Sequence, residues 1–531
     1  MTTVAQVKCP FCNAAHAASS AGSYTCEFCL QPFSVQDAKR EEARLLDEIK
    51  AWVEQRVGAA GPAASVDLAS RAYIFQQRVL PDLRRDVDRA LERIGGYGQF
   101  PLVTAPVGAP AAQHANPLVA RRREILALKG LKARLSSEDV TSFASRDADR
   151  LAIQLMDRHL TSLVHLSNIA GAAASRSAEG YAAARRNLEV LGEEIARSVA
   201  TEGAHDPPLG AFLAALQRRY AALGELCRIC EESSSPNAIA GAPLADRADA
   251  LAARLGETAQ EVEASNFAPA DAMPVVVAVN HEMESARAFA RWLRAYGRIA
   301  HRSSVSFPAF VADVHPLTGG GALTFDAQTE LLETFAFVLD AARGVASAPL
   351  VGDFSWVDRW AEAGRRRKSL GLFGVDERVT GVERFLSPFW VADVFFSRAQ
   401  GSVFASGKEE RAVALLDACA PDPHRLVVLG ESPLVRALET HGSPAGTPIA
   451  APRSSPSQAS AAMMRGLHGR SEYLNPRLRV RGLAFLPVAA ATYAGGQHPR
   501  TVTSCLADQV PADRLAREQV QTTQQMLQRY R

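Results

Sequence analysis

The chain has 531 residues, of which 47% are hydrophobic and 22% are charged, the composition of a soluble globular protein. A chain of this length is too long to fold around a single hydrophobic core, so we predict about three or four domains. The 59 basic and 57 acidic side chains leave a formal charge of +2, which excludes a global field that would draw the protein onto nucleic acid or an anionic membrane. The sequence contains no run of about 18 apolar residues, the length needed to cross a bilayer. We therefore expect a soluble, cytoplasmic protein without a membrane span.

Two CxxC pairs near the N terminus carry the strongest chemical signal in the sequence. A spacer of thirteen residues separates the pairs, which are formed by Cys9, Cys12, Cys26 and Cys29. Each CxxC turn aims two thiolates at one point, and two such turns supply four sulfurs in tetrahedral geometry with no position left for water. We therefore predict one structural zinc ion (Zn2+) held by these four cysteines. Two disulfides or four unrelated thiols are the less favoured alternatives, because the cysteines cluster at paired spacing and the sequence shows no secretory signal.

The segments Lys8–Cys12 and Thr25–Cys29 echo each other as two hairpin turns, and here the chain resembles the zinc-ribbon family. The resemblance covers residues 1–35. It implies a small β module held together by metal, which in relatives contacts nucleic acid or protein. His16 lies between the two turns, but four thiolates complete the zinc coordination, so we expect His16 to be a surface residue.

Helical patterns dominate the sequence from the cysteines to residue 265. Residues 36–99 show apolar side chains at helical spacing, and residues 100–117, rich in proline and alanine, are predicted to form a linker. The stretch 118–265 is predicted to form a helical bundle or coiled-coil hairpin. Its clearest helix starts at Asp206-Pro207, an N-cap followed by proline at the first helical position.

An apolar seam runs along that helix at alternating steps of four and three residues. The seam comprises Leu209, Leu213, Leu216, Tyr220, Leu223, Cys227 and Cys230, and Leu244, Ala248, Leu251, Leu255 and Val262 continue the pattern in the next helix. Because a short Ser/Pro/Gly loop joins the two helices, we expect them to pack antiparallel. Cys227 and Cys230 also have the spacing of a redox pair, but both continue the seam, so we interpret them as core residues.

Near residue 270 the sequence changes to a mixture of strand and helix patterns. It predicts a mixed α/β domain over residues 270–510, which makes the chain a multidomain α+β protein. The run Val275–Val279 suits a strand buried on both faces. Further strands are predicted at residues 303–314, 389–396, 401–405, 425–429 and 477–488. Helices are predicted at residues 326–343, 408–419, 432–440 and 511–531, and a Pro/Ser/Gly-rich mobile loop at residues 441–460.

Several stretches of this domain approach catalytic motifs, and each lacks a residue that its mechanism needs. Gly401–Lys408 has one spacer residue too many for a phosphate-binding loop, and Glu409 replaces the Ser or Thr that would bind magnesium. Gly430–Leu434 begins like a nucleophile elbow, but its proline removes an N–H that an oxyanion hole would use. We therefore interpret Ser432 as a helix N-cap. His281-Glu282 lacks the second histidine of a zinc protease.

Two basic features could bind phosphate. One is the run Arg365–Lys368, and the other is Arg477, Arg479 and Arg481, which alternate along a predicted strand and would project from one face. Neither is interleaved with aromatic side chains that could stack on bases, so we favour ordinary solvated surfaces.

We favour a non-enzymatic intracellular adaptor or scaffold that binds a protein partner, or itself, through the ribbon and the helices of residues 118–265. Two alternatives stay open. A nucleic-acid-binding protein would use the ribbon and the basic features, although residues 13–25 contain no Lys or Arg to neutralise phosphates. An enzyme would gather groups such as His281, Asp313 and His315 in a C-terminal pocket.

Overall fold

A computed structural model of the chain describes residues 164–531 with short gaps, together with a few segments nearer the N terminus. The gaps are residues 202, 240, 268, 301–302, 368–374, 399–408, 496–497 and 512. The earlier segments are four short strands, residue 85, and residues 102–103, 105–107 and 109. The described part has mixed α/β structure, as predicted. None of its helices is long and apolar enough to span a membrane.

The chain divides into two compact units. Unit 1 comprises Met1–Ala290 and Ser306–Ala312, and unit 2 comprises Arg291–Val305 and Asp313–Arg531. Near the N terminus, short strands form two antiparallel pairs: β1 (Ala5–Lys8) with β2 (Ala15–Ala18), and β3 (Ser23–Thr25) with β4 (Pro32–Ser34).

Three antiparallel helices form the described centre of unit 1: α1 (Ala178–Thr201), α2 (Pro207–Ser234) and α3 (Ala242–Ala264). Ion pairs fix the direction of α3 against α2. Arg218, early in α2, bonds Glu261 late in α3 at 2.6 Å, whereas Arg247, early in α3, bonds Glu225 late in α2 at 2.8 Å. Over these residues, the predicted antiparallel packing of the two helices is confirmed.

The start and the buried face of α2 also follow the sequence prediction. The Asp206 carboxylate accepts the backbone N–H of Leu209 at 3.1 Å, and proline occupies the first helical position. Every seam residue from Leu209 to Cys230 is at most 4% exposed. In α3 the predicted seam is buried except at Leu244, which is half-buried. Burial of this one stripe explains why the helix pair forms.

Two glycines meet where α1 passes into α2. A Cβ atom on Gly210 would lie 2.7 Å from the backbone oxygen of Gly203, closer than any carbon packs against a carbonyl. Elsewhere in α2, a Cβ atom on Gly224 would meet no atom within 4 Å in the described structure. Replacing glycine with alanine therefore creates a steric clash at Gly210 but not at Gly224, within the same helix.

We expect Gly210→Ala to lower the free energy of unfolding of unit 1 by about 1–3 kcal/mol, because the new methyl group must push two backbone segments apart. Gly224→Ala should raise it by about 0.5–1 kcal/mol, since alanine loses less conformational entropy than glycine in a helix. Urea unfolding followed by helical circular dichroism measures both values. Equal effects of the two substitutions would contradict the close backbone contact.

Two predicted strands are helices in the structure. Val275–Val279 lies inside α4 (Pro269–Ala300), so the strand predicted there is wrong. Val277 is exposed while the other members of the run are buried, which is a helical pattern. A short apolar run fits a buried strand and a buried helix equally well, and only packing distinguishes them.

The strand predicted over residues 303–314 is wrong for a related reason, because α5 (Phe307–Val314) occupies that stretch. Its fully buried side chains recur at steps of three and four residues, the helical period, and are Phe307, Phe310, Val311 and Val314.

Unit 2 contains seven described strands: β5 (Ala348–Pro349), β6 (Arg378–Arg398), β7 (Glu410–Asp417), β8 (Val427–Leu429), β9 (His441–Gly442), β10 (Tyr473–Ala494) and β11 (Arg500–Cys505). Five of them form an antiparallel sheet with the strand order β11-β10-β6-β7-β8. The other two, β5 and β9, form a separate pair. The helices are α6 (Phe325–Ala342), α7 (Val357–Ala363), α8 (Pro433–Ala437), α9 (Pro456–His468) and α10 (Leu515–Arg529).

Helices cover both faces of this sheet. Trp390 and Ala392 of β6 pack in a core that includes residues of α6 and α9. Phe389 and Val391, on the opposite face of the same strand, pack in a second core that includes residues of α8 and α10. Because both faces are buried, the central parts of β6 and β10 are continuously apolar rather than alternating.

Most elements predicted in unit 2 are present. The strands predicted at 389–396 and 477–488 lie within β6 and β10, and β8 lies within 425–429. Helices α6, α8 and α10 match the helices predicted at 326–343, 432–440 and 511–531. The strand predicted at 401–405 lies outside the described residues.

The helix predicted at residues 408–419 is wrong, since β7 occupies that stretch. Its Ala- and Leu-rich sequence favours a helix by local propensity. The sheet nevertheless takes it as a central strand, with Ala414 and Leu416 packing on one face and Val413 and Leu415 on the other. Burial against two layers outweighs the local preference.

Two stretches predicted to be a linker and a mobile loop are partly buried. Of the predicted linker 100–117, the described residues Val103, Ala105, Val107 and Ala109 are buried. In the predicted loop 441–460, Ala450 donates its N–H to Leu386 of β6 at 2.8 Å, and α9 begins at Pro456. Small apolar side chains let both segments pack closely, which their proline and alanine content alone does not reveal.

Candidate functional site

The connections within the two N-terminal strand pairs contain the predicted zinc ligands. One CxxC pair falls in residues 9–14, between β1 and β2, and the other falls in residues 26–31, between β3 and β4. The four predicted ligands, Cys9, Cys12, Cys26 and Cys29, lie outside the described residues. Each pair is therefore flanked on both sides by strands that pair antiparallel with each other.

The donor chemistry of these connections fits zinc. Four thiolates make a closed tetrahedral shell, the usual shell of a structural zinc ion. His16 belongs to β2, where it lies opposite Val7, and not to either connection. Within the residues that the structure describes, no group of three or more His, Cys, Asp or Glu side chains could hold a metal ion.

A buried acidic group lies in unit 1 at Glu282, next to the exposed His281 of α4. Both carboxylate oxygens accept the backbone N–H of Leu102 at 2.8 Å, which ties the predicted linker to the helices. Burial raises the pKa of Glu282 to about 7, although Arg219 and the Leu102 N–H oppose that rise. Glu282 thus belongs to the core of unit 1, whereas His281 lies on its surface.

Arg219 is the buried cation that opposes this rise. It is 1% exposed, and its guanidinium lies over the Tyr220 ring at 5.7 Å. Its Nε and Nη1 atoms find no hydrogen-bond partner in the described structure. The Tyr220 ring and the field of Glu282 therefore stabilise this positive charge.

The cysteines of α2 are core residues, as predicted. Cys227 and Cys230 are fully buried, and burial raises the pKa of each thiol well above its usual value. A neutral, inaccessible thiol is a poor nucleophile, which disfavours redox chemistry. Cys419 and Cys505 of unit 2 are buried in the same way, and burial raises their pKa values too.

Ser432 caps a helix, as predicted for the sequence that resembles a nucleophile elbow. Its hydroxyl accepts the backbone N–H of Val435 at 3.2 Å, and proline occupies the first position of α8. The stretch that resembles a phosphate-binding loop, Gly401–Lys408, lies outside the described residues.

In the basic run that follows α7, Arg365 and Arg366 contact acidic and backbone groups, and Lys368 lies outside the described residues. The Arg365 Nε donates to the backbone oxygen of Glu377 at 2.8 Å, and its Nη1 pairs with Glu362 at 3.0 Å. The Glu377 carboxylate accepts the backbone N–H of Arg366 and pairs with Arg500, which lowers its pKa to about 2. These contacts attach Arg365 and Arg366 to the edge of the sheet, where Arg500 lies in β11.

The alternating arginines of β10 lie on the exposed side of the strand, as predicted. Arg477, Arg479 and Arg481 are exposed, whereas Leu478 and Val480 between them are half-buried against the core. Arg477 pairs with Glu409, and Arg481 pairs with Asp393. Strand alternation therefore determines which side these charges occupy.

Of the groups that an enzyme would use in the alternative interpretation, Asp313 contacts the C-terminal residues of the chain. His281 is exposed in unit 1. In unit 2, Asp313 accepts the hydroxyl of Tyr530 at 2.7 Å and pairs with Arg529, and His315 is buried. Asp313 thus anchors the C-terminal end of α10.

Sequence reasoning missed a buried polar group at Asp417, the last residue of β7. Its Oδ1 accepts the backbone N–H of Cys419 at 2.9 Å and the Ser387 hydroxyl at 3.4 Å. Burial raises the pKa of Asp417 to about 6. The one available signal was a carboxylate inside an otherwise apolar run, residues 412–419.

Glu282, Ser432, Asp313 and Arg365 thus have structural contacts in the described part of the chain, and the cysteines predicted to bind metal lie in the two CxxC connections. Comparison with family models, with curated proteins and with solved structures gives no match to this chain.

Proposed function

We propose that the protein is a cytoplasmic adaptor whose N-terminal module, held by one zinc ion, binds a protein partner. The observation that carries this proposal is the placement of each CxxC pair between two antiparallel strands. Two such turns would present four thiolates to one Zn2+ ion. The reducing cytoplasm keeps these thiols available for metal instead of disulfides.

The charge distribution favours a protein over a nucleic acid as partner. Residues 13–25, between the two CxxC pairs, contain no Lys or Arg. In unit 2, Arg365, Arg477 and Arg481 each pair with a carboxylate of the chain. Nonspecific affinity for nucleic acid comes mainly from cations that neutralise phosphates, and the paired arginines would have to exchange one anion for another.

The helices of unit 1 support a scaffold role. The antiparallel arrangement of α1, α2 and α3 is fixed by a buried seam and by ion pairs between helices. We propose that residues 118–265, which include these helices, provide a rigid support for the N-terminal module and a surface for self-association.

Affinity capture from the native cell tests the adaptor proposal. The baits are the full chain and a chain beginning at Gln36, each with and without nuclease, and captured proteins are identified by mass spectrometry and retested as purified pairs. We expect a partner that binds the full chain directly, survives nuclease and is lost without residues 1–35.

Two results would count against the proposal. Recovery that disappears on nuclease treatment would favour nucleic-acid binding. A partner that binds the shortened chain equally well would place the docking surface outside the N-terminal module. A third bait, full-length His16→Ala protein, is the control for the loss of residues 1–35. It changes one polar side chain of β2 but keeps all four thiols, so we expect it to bind the partner as the full chain does.

A further inference from the structure

Strand β10 has an unpaired edge along residues 474–484. One edge of the strand pairs with β6 along nearly its whole length, whereas the other pairs with β11 only over Val488–Tyr493. A bridge from Leu350 to Phe485 adds one contact to this second edge. Over residues 474–484 the second edge pairs with no strand of the described structure. Such an edge presents backbone N–H and C=O groups at the spacing that an added strand requires.

A pocket of about 350 Å3 lies beside this edge. Ser347 and Pro349, at the start and the end of the segment that contains β5, line it together with Arg481–Leu483 of β10. Phe337 of α6 and Trp390 of β6 provide aromatic walls. The pocket is therefore bordered by two strands, β5 and β10, that do not pair with each other at this level.

The interior of the pocket is apolar and its main wall is held in place. Trp390 and Leu483 are buried, and Phe337 is half-buried. The Nε1 of Trp390 donates to the Ser454 hydroxyl at 3.0 Å, which fixes the orientation of the indole ring. A preformed apolar pocket of this kind accepts a large apolar side chain at little cost in reorganisation.

The charges at the mouth of the pocket are balanced. Arg481 bonds Asp393 through Nε at 2.9 Å and through Nη2, and Arg411 pairs with the same carboxylate. The field of Glu439 also reaches Arg481. Two guanidinium groups thus face two carboxylates, so the mouth selects neither an anion nor a cation. Burial of an uncharged side chain is then the main contribution that the pocket makes to binding.

A bulge in β10 gives a neighbouring backbone access to the pocket. The register of β10 against β6 shifts between Val480 and Gly482. Gly482 has a φ angle of +145°, and a Cβ atom there would meet no atom within 4 Å. Since glycine places no side chain in this space, another segment can approach the backbone of β10 closely at this point.

The charges along the edge disfavour a second copy of the chain as its occupant. Arg477, Arg479 and Arg481 alternate along the strand and are exposed. If two copies of this edge paired with each other, these arginines would face one another across the new ladder. Like charges directly opposite each other destabilise a strand pair, and charged residues commonly protect edges from self-association in this way. The edge therefore suits a single extended segment of a different protein.

We infer that residues 474–484 bind an extended peptide segment of a partner protein, which adds a strand to the sheet and inserts one uncharged apolar side chain between Trp390 and Phe337. Backbone hydrogen bonds to the edge supply affinity, and the pocket supplies specificity. This site belongs to unit 2 and does not depend on the adaptor proposal for the N-terminal module.

Fluorescence anisotropy on the full chain tests the inference with labelled peptides of seven residues. The probes are capped peptides of alternating threonine and valine in which the central residue is phenylalanine, leucine, alanine or aspartate. We expect the phenylalanine or the leucine peptide to bind with a dissociation constant of about 0.1 mM or lower. The alanine and aspartate peptides should bind at least about tenfold more weakly, because neither fills the apolar pocket.

Backbone methylation separates strand addition from side-chain insertion. In an added strand, alternate amide groups face β10 and the others face away from it. Methylating one alternate set of N–H groups in the phenylalanine peptide should therefore weaken binding at least about tenfold, whereas methylating the other set should change it less than about threefold. N-acetylphenylalanine amide carries the apolar group without a strand, and it should bind at least about tenfold more weakly than the peptide.

Two tryptophan substitutions at exposed positions provide a matched pair of variants. Ser347→Trp should weaken binding of the phenylalanine peptide at least about tenfold, because the new side chain would occupy the mouth of the pocket. Thr501→Trp adds the same side chain to β11, outside the pocket, and should change binding less than about twofold. Thermal unfolding checks that both variants fold, as their exposure leads us to expect.

Four results would overturn strand addition with an apolar anchor. They are no binding of any peptide at about 1 mM, equal affinity for the phenylalanine and alanine peptides, equal weakening by the two methylated sets, or equal effects of Ser347→Trp and Thr501→Trp. Binding of N-acetylphenylalanine amide as tightly as the peptide would instead assign the pocket to a small molecule. Dissociation of dimers by the peptide, seen by analytical ultracentrifugation, would assign the edge to a second copy of the chain.

Discussion

Replacing Cys9 and Cys26 together with serine is expected to reduce bound zinc from about one equivalent per chain to none. Each substitution removes one thiolate from a different CxxC pair, so neither pair can still supply two sulfurs to a tetrahedral site. Structural zinc contributes about 10–16 kcal/mol of apparent binding free energy in small modules, so the β1–β4 module should unfold while unit 2 keeps its stability. Elemental analysis of the purified protein and release of zinc to a colorimetric chelator measure the effect.

His16→Ala serves as the control for this double variant, and it should retain one equivalent of zinc because four thiolates complete the shell. Full zinc stoichiometry in the double variant would place the metal elsewhere in the chain. Loss of zinc from the His16→Ala protein would instead make the imidazole a ligand. Either result would require a different metal site from the one proposed.

Asp417→Asn is expected to stabilise unit 2 at pH 7 by up to about 3 kcal/mol. Burial raises the pKa of Asp417 in the folded protein to about 6, from an ordinary value of 3.8. Above pH 6 the folded protein therefore buries a charged carboxylate at an energetic cost, which the neutral amide avoids. The asparagine oxygen can still accept the N–H of Cys419.

The sign of the pH dependence follows from the direction of this pKa shift. Between about pH 4 and pH 6, the folded state binds more protons at Asp417 than the unfolded state does, so its contribution to stability falls as pH rises. Urea unfolding of wild-type and Asp417→Asn protein at several pH values isolates this contribution as a difference. The difference should be small below pH 4, grow through that window and stay constant above it.

Asp358→Asn provides a matched surface control. Asp358 pairs with Arg384 but is 80% exposed, so its loss should change the free energy of unfolding by less than about 0.5 kcal/mol at every pH. A difference for Asp417→Asn that is independent of pH would contradict the raised pKa. A variant that is less stable than wild type at pH 7 would show that the carboxylate forms a stabilising interaction instead.

Strong local signals in the sequence predicted their elements well. The Asp206-Pro207 start of α2, the seam from Leu209 to Cys230 and the Ser432 cap are all present. Each of these signals depends on interactions between residues within a few helical turns, such as a capping hydrogen bond or the spacing of apolar side chains along one helix face. A short stretch of sequence therefore contains the residues that form the element. The CxxC spacing is equally local, and its zinc site remains a prediction for the metal analysis above.

Short apolar runs gave the wrong elements. Val275–Val279 and residues 303–314 were compatible with strand and helix, and 408–419 had the composition of a helix but forms β7. In each case the deciding contacts come from distant parts of the chain, such as the two layers that cover β7. Local propensity differs by only about 1 kcal/mol between residues, less than the burial of one large side chain contributes.

The sequence by itself determined the spacing of the four cysteines, the helical centre of unit 1 and the alternating arginines of β10. The tertiary structure alone decided which polar groups are buried and which charges share a partner. Asp417, Glu282 and the Arg411–Asp393–Arg481 cluster depend on residues far apart in the chain. Solvation and charge pairing act through space, so a pattern of neighbours along the sequence does not specify them.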